Sequence, residues 1–118
     1  MNTLNIPVNS SLLKLYSFYV DIINPLIKLT KQERSILSTM LLIHYQNKHN
    51  PDVNELILSK QTRKTIRNYL NISEASFNNS IQSLKEKECL KNNKLNKNLI
   101  IYPEDNKLMI NYTINLIK

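Results

Sequence analysis

The chain has 118 residues, a formal net charge of +7, one cysteine and no glycine. That length suits one domain with a modest core, and a lone cysteine excludes both an internal disulfide and a multi-cysteine zinc cage while suiting a reducing compartment. Without glycine there is neither a phosphate-binding P-loop nor a dinucleotide-binding turn. The most apolar stretch, Leu12 to Ile23, is short and carries Lys14 and Asp21, so no membrane span is expected. No signal peptide is expected either, since the N-terminus lacks a charged-then-apolar pattern with a small-residue cleavage site. The abundance of Asn, Ile and Lys reads as codon pressure from an AT-rich bacterial or phage genome.

Residues 1–9 lack helical periodicity and contain Pro7, so they read as an arm or short edge strand. Asn9 or Ser10 can cap a helix over residues 11–23 that is apolar on most faces, from Leu12 to Ile23. Such a helix is expected to be buried in the core or against another subunit, with Pro25 ending or kinking it. Thr30-Lys31-Gln32-Glu33 is a capping box. It opens a helix through about Asn47, with Ile36, Leu37, Met40, Leu41 and His44 on one stripe. Asn50-Pro51 suits the start of a short helix or a loop, and Leu56-Ile57-Leu58 reads as a short strand able to pair with a later hairpin.

Ser59 caps a helix over 60–70 with Ile66 and Leu70 inward. After the Asn71-Ile72-Ser73 turn, Ser73 caps a helix over 74–88. Ile72 and Phe77 stand at the positions of a hydrophobic staple, and Phe77, Ile81 and Leu84 form the core stripe. Residues 91–98 (KNNKLNKN) are polar and basic, with Asn supplying the turn conformations that glycine normally would. Leu99 to Tyr102 reads as a strand, residues 103–106 as a turn, and Lys107 to Ile117 alternates as a long half-buried strand with an unmatched edge.

The charge is uneven: residues 59–98 carry nine Lys or Arg and three Asp or Glu, net +6, against +1 over residues 1–58 and zero over 99–118. A clustered basic patch is what a phosphate backbone attracts. The order basic helix, tight turn, amphipathic helix, basic hairpin is carried by LTKQERSIL from Leu29, by LNIS at the turn, and by Phe77, Ile81, Leu84, Lys85, Lys87 and Leu90. This pattern, from Leu29 to Pro103, resembles the winged helix-turn-helix superfamily as found in multidrug-type repressors and in plasmid or phage replication initiators. The expected fold is mainly α with a small β-sheet (α+β), a winged helix-turn-helix over 30–118 with an extra N-terminal arm and helix over 1–29 and a C-terminal β-hairpin or strand.

In that superfamily the second helix of the motif enters the major groove, the first braces on the backbone, and the wing touches the flanking groove. The resemblance therefore implies base-edge contacts from Ser76, Asn78, Asn79 and Gln82. It implies phosphate contacts from Lys60, Arg63 and Lys64 on the first helix and from Lys91, Lys94 and Lys97 on the wing. The recognition face departs from the pattern: it has no Arg or Lys before Lys85, and Glu74 stands at its head. That departure supports the alternative of a phage virion, connector or assembly component that uses the same scaffold for protein contacts.

No catalytic constellation is legible. His44 and His49 are five residues apart, the wrong spacing for one helical face, and His44 falls on an apolar stripe. Cys89 has no paired His and reads as a buried thiol. Asp21, Glu33, Asp52, Glu55, Glu104 and Asp105 show no metal spacing, and Tyr16, Phe18 and Tyr19 read as core. The expectation is a non-enzyme without cofactor or metal, located in the bacterial cytoplasm or in a virion. Its partners would be double-stranded DNA and a second copy, or a phage or host protein, engaged through residues 11–29 and 107–117.

Overall fold

The structure is a computed structural model and describes residues 10–103. The arm at 1–9 and the strand expected over 107–117 lie outside the described residues. Five helices come first: α1 Ser10–Ile27, α2 Lys31–Gln46, α3 Val53–Leu56, α4 Lys60–Leu70 and α5 Glu74–Glu86. A short antiparallel hairpin follows, β1 Leu90–Lys91 and β2 Lys94–Leu95, then a 3-10 turn at Lys97–Leu99. The fold is thus mainly helical with a small two-stranded sheet. No helix among the described residues is long and apolar enough to cross a membrane.

Local chemistry explains the helix starts. The Thr30 hydroxyl accepts from Glu33 N while Glu33 Oε1 accepts from Thr30 N at 3.1 Å, a closed capping box. The hydroxyls of Ser59 and Ser73 accept from Thr62 N and Ser76 N, each satisfying an amide that the helix itself leaves unpaired.

α2 is the centre of the molecule. Ile36 to Ile43 are all buried, and Tyr16, Val20, Ile57, Ile66, Phe77 and Leu84 close around them from α1, the α3 turn, α4 and α5. Each such apolar side chain withdrawn from water contributes about 1.5–3 kcal/mol. α1 belongs to this same core through Tyr16, Tyr19, Val20 and Ile23.

The sequence reading needs three corrections. The first concerns α1, which the chain's own core covers on one face only. It packs on α2 and on the segment after the hairpin, and this leaves Phe18 66%, Ile22 50% and Leu26 69% exposed. Pro25 does not end it either, because the helix runs on to Ile27. Asp21 and Pro25 are both exposed, so the carbonyl that loses its donor at Pro25 faces water.

The second correction is at Leu56-Ile57-Leu58, which is not a strand. Leu56 closes α3, Ile57 N donates to Val53 O at 3.0 Å, and Ser59 N donates to Leu56 O at 3.0 Å. These helical-turn bonds occupy the backbone groups that a sheet would need, while the Ile57 side chain fills the core. The third is at Leu99 to Tyr102. Leu99 ends the 3-10 turn, and the next residues pair with no strand among the described residues. Their carbonyls accept instead from α1: Tyr19 Oη donates to Leu99 O at 2.8 Å and Tyr16 Oη to Ile101 O at 2.7 Å. Burial pushes the Tyr16 hydroxyl well above its ordinary pKa, and Tyr45, Tyr102 and Tyr19 push it further, so it stays a donor.

A chain without glycine must place other residues in left-handed backbone. Lys28, Asn71, Glu88, Asn92 and Asn93 all have φ between 54° and 62°. Asn92 and Asn93 make the two-residue turn of the hairpin, where both central residues need positive φ. Asn tolerates that conformation; Lys and Glu do so at a cost of about 1–2 kcal/mol. Glu88 turns the chain out of α5, with Cys89 N donating to Leu84 O at 2.9 Å. Glu88→Gly is therefore expected to stabilise the fold by about 0.5–1 kcal/mol after the extra unfolded-state freedom of glycine is counted. A higher urea midpoint with an unchanged slope would show it, and a lower midpoint would show that Glu88 is not strained.

Candidate nucleic-acid interface

α5 is positioned by apolar packing on one side and by polar anchors from the start of α2 on the other. Phe77, Ile81 and Leu84 are buried. Gln32 Nε2 donates to Ser76 Oγ at 2.9 Å and to Ser80 Oγ at 2.8 Å. At the far end of α5, Lys87 Nζ donates to Glu33 Oε1 at 2.7 Å and to Lys28 O at 2.9 Å. Glu33 is thus shared between its own capping box and a pairing with the end of α5. Burial alone would raise the Glu33 carboxyl pKa, but bonds from Lys87, Thr30 N and Ser83, together with the Lys87 charge, outweigh it and hold it below the ordinary range.

The face of α5 turned away from α2 carries Asn78, Asn79, Gln82 and Lys85, all exposed. Ser76 lies half-buried beside this face, held by Gln32. Three residues, Asn71 to Ser73, join α4 to α5. Asn71 is left-handed, and Ile72 N donates to Arg67 O at 2.9 Å. On α4, Lys60, Lys64 and Asn68 are exposed at helical spacing, while Arg63 is half-buried on the flank of the core stripe. Arg67, two turns after Lys60, lies 3.9 Å from Glu74. That contact sets a cation beside the acid at the head of α5 and lessens its repulsion toward a phosphate.

The hairpin lysines differ in their surroundings. Lys91 lies 3.9 Å from Glu88 and Lys94 3.5 Å from Glu55 of α3, whereas Lys97 has no ion pair among the described residues. These exposed pairs are worth little energetically and rearrange easily. A cleft of about 580 Å³ is lined by all three lysines and by Asn54, His44 and Tyr102. His44 is buried and satisfied on both ring nitrogens, with Tyr102 Oη 2.9 Å from Nδ1 and Asn54 Oδ1 2.9 Å from Nε2. Since the Asn54 oxygen can only accept, Nε2 carries the proton and Nδ1 accepts from the tyrosine. His44 is therefore a structural histidine that ties α2 to the α3 turn and to the segment after the hairpin. Burial raises the Cys89 thiol pKa to about 11, with Glu33 adding to it and Lys87 opposing it; the thiol stays protonated near neutral pH. Among the described residues, no three His, Cys, Asp or Glu side chains gather as metal ligands would.

α4, α5 and the hairpin meet at one place. A cavity of about 310 Å³ is lined by Arg63 of α4, Ile81 and Lys85 of α5, Asn93 at the hairpin tip, and Glu55 and Leu58. Arg63 thus shares a surface with the end of the exposed α5 face and with the turn between the hairpin strands. Sequence reasoning had not assigned contacts to Lys85, Asn93 or Arg67. Lys85 was within reach of it, because Lys85 follows Asn78 and Gln82 by seven and three residues and so shares their face. The Glu33–Lys87 and Gln32–Ser80 anchors had no local signal, since their partners are 54 and 48 residues apart.

Comparison of the chain with models of known protein families, with curated proteins and with solved structures returned no match.

Glu33 gives the anchor a pH dependence with a definite sign. Its folded pKa lies below the unfolded one, so its contribution is complete above the unfolded value, about 4.3, and is lost as pH falls through the folded value. Glu33→Gln is expected to cost about 1–3 kcal/mol near neutral pH. Its gap to wild type in urea midpoints should narrow on acidification. A gap independent of pH would remove the carboxylate from this role.

Proposed function

We propose that this chain is a small DNA-binding protein of winged-helix type, regulatory or replication-associated, that holds double-stranded DNA across α4, the exposed face of α5 and the hairpin. The meeting of Arg63, Lys85 and Asn93 on one cavity supports this reading, because it sets one residue of the basic helix, one of the amide-rich helix and one of the hairpin turn on a shared wall. Asn78, Asn79 and Gln82 are exposed amides, the side chains that pair bidentately with adenine; Ser76, engaged by Gln32, adds a hydroxyl at their edge. Lys60, Arg63 and Lys64 on one side and Lys91, Lys94 and Lys97 on the other are proposed to take the phosphates. Lys60, Arg63, Lys64 and Lys97 have no acidic partner among the described residues and are attracted to a polyanion at no cost in internal pairs, whereas Lys91 and Lys94 would exchange weak exposed pairs with Glu88 and Glu55.

A second reading, a phage virion, connector or assembly component, is favoured by one feature. The exposed face of α5 has no cation before Lys85, and the acids Glu74 and Glu86 stand at its two ends. Salt dependence separates the two. With six phosphate contacts, affinity for a random-sequence duplex is expected to fall about a thousand-fold between 50 and 200 mM salt. The Lys60/Arg63/Lys64→Ala triple variant should lose most of the binding. Fluorescence anisotropy at several salt concentrations measures both. Absence of binding at low salt would leave the assembly reading.

A second copy is proposed as the partner of α1. Phe18, Ile22 and Leu26 form an exposed apolar stripe on the side of α1 opposite Tyr16 and Val20. Lys14 and Asp21 are exposed along one flank of it, seven residues apart. Asp21 is already 3.6 Å from Arg34, so the apolar side chains carry the pairing: an antiparallel two-fold centred on Ile22 would set Phe18 of one copy against Leu26 of the other. Sedimentation analysis should then find a dimer for the wild type and a monomer for Phe18→Lys/Ile22→Lys, with helical circular dichroism retained. A wild type that stays monomeric at high micromolar concentration would refute the pairing.

A further inference from the structure

Arg63, one of the residues that line the cavity between α4, α5 and the hairpin tip, carries a donor that the protein itself does not use. Arg63 Nε is fully buried and has no hydrogen-bond partner. Native structures rarely leave such a group unsatisfied, because stripping a charged donor of water without an acceptor is costly. Arg63 and Lys85 both line this cavity, and neither has an acidic partner among the described residues. The one acid on the wall, Glu55, has its carboxylate 3.5 Å from Lys94 Nζ. Asn93 adds a side-chain amide from the turn. The wall therefore offers a guanidinium and an ammonium without acidic partners and one amide, with its carboxylate already engaged. At about 310 Å³ the space admits a tetrahedral oxyanion.

We infer that this cavity is a phosphate seat, in which the Arg63 guanidinium and the Lys85 ammonium bind the oxygens of one phosphate group and Asn93 closes the third side. In part this rests on the DNA-binding reading, which supplies a backbone phosphate as the occupant; free inorganic phosphate has the same chemistry. A guanidinium suits this position better than an ammonium, since its fixed N–H directions match a phosphate edge. Lys85 ends the row Asn78, Gln82, Lys85, so the seat would fix the register of the α5 face along the duplex.

The test uses the full chain with Arg63→Met, Lys85→Met, the double variant, Arg63→Lys, and Lys48→Met as a charge control that does not line the cavity. Each is first checked for a wild-type thermal melt. The first arm is anisotropy with a random-sequence duplex across a salt series. The second is the melting temperature of each protein in millimolar inorganic phosphate against the same ionic strength of chloride. The seat predicts that each Met variant weakens duplex binding about three- to ten-fold and lowers the log–log salt slope by about one. The double variant should do less than the product of the singles because both side chains serve one phosphate, and Arg63→Lys should restore only part.

Wild-type duplex binding with both Met variants indistinguishable from Lys48→Met would overturn the seat and leave the DNA reading standing. Absence of duplex binding, with phosphate stabilising wild type but not the Met variants, would establish the seat for free phosphate and refute the DNA reading. A null result in both arms refutes both.

Discussion

The presentation of α5 depends on the first turn of α2. Gln32 and Glu33 are adjacent in sequence, and each reaches α5 at a different point. Gln32 takes the Ser76 and Ser80 hydroxyls, while Glu33 takes the Lys87 ammonium at the helix end. Apolar packing of Phe77, Ile81 and Leu84 supplies most of the stabilisation, but it is non-directional. The polar anchors are directional, and they fix the rotation of α5 about its axis. With that rotation set, Asn78, Asn79, Gln82 and Lys85 face outward together. The same carboxylate completes the capping box of α2, so the start of one helix and the end of another are held by a single charged group. Its burial is tolerated because three kinds of donor compensate it.

A second organising feature is the contact of α1 with the residues after the hairpin. Two tyrosine hydroxyls on one face of α1 accept the role that a neighbouring strand would fill, donating to Leu99 O and Ile101 O. The hairpin is only two residues long on each side and could not be stable alone. It is held at its base by Leu90 and Leu95 in the core and at its side by the α3 turn, where Glu55 meets Lys94. His44 joins this corner to α2 through Asn54 and Tyr102. The basic hairpin is thereby fixed relative to α4 and α5, and a shared cavity can form between them.

A buried and unsatisfied nitrogen of Arg63, the unpaired Lys85 on the same cavity, and a row of exposed amides leading to it support the proposed polyanion chemistry. The exposed apolar stripe of α1 lies on a different face, opposite the side that packs on α2. Oligomerisation there and polyanion binding across α4 and α5 are therefore compatible in one molecule.

The sequence by itself determined where α2, α4 and α5 start. Thr30, Ser59 and Ser73 cap them as their neighbours dictate, and the stripes Ile36–Leu37–Met40–Leu41 and Phe77–Ile81–Leu84 face the core as helical spacing requires. It also determined the asparagine turn of the hairpin and the uneven charge, since both depend only on residue type and local order. Tertiary structure decided the rest. Leu56–Leu58 and Leu99–Tyr102 have strand-like composition, yet their backbone groups are claimed by a helical turn and by two tyrosines, and local pattern cannot foresee that competition. α1 is apolar nearly all round, but whether each side is covered depends on how many neighbours a 118-residue chain can supply. The meeting of Arg63 with Lys85, and of Glu33 with Lys87, also belongs to tertiary structure, because long-range packing alone brings those side chains together.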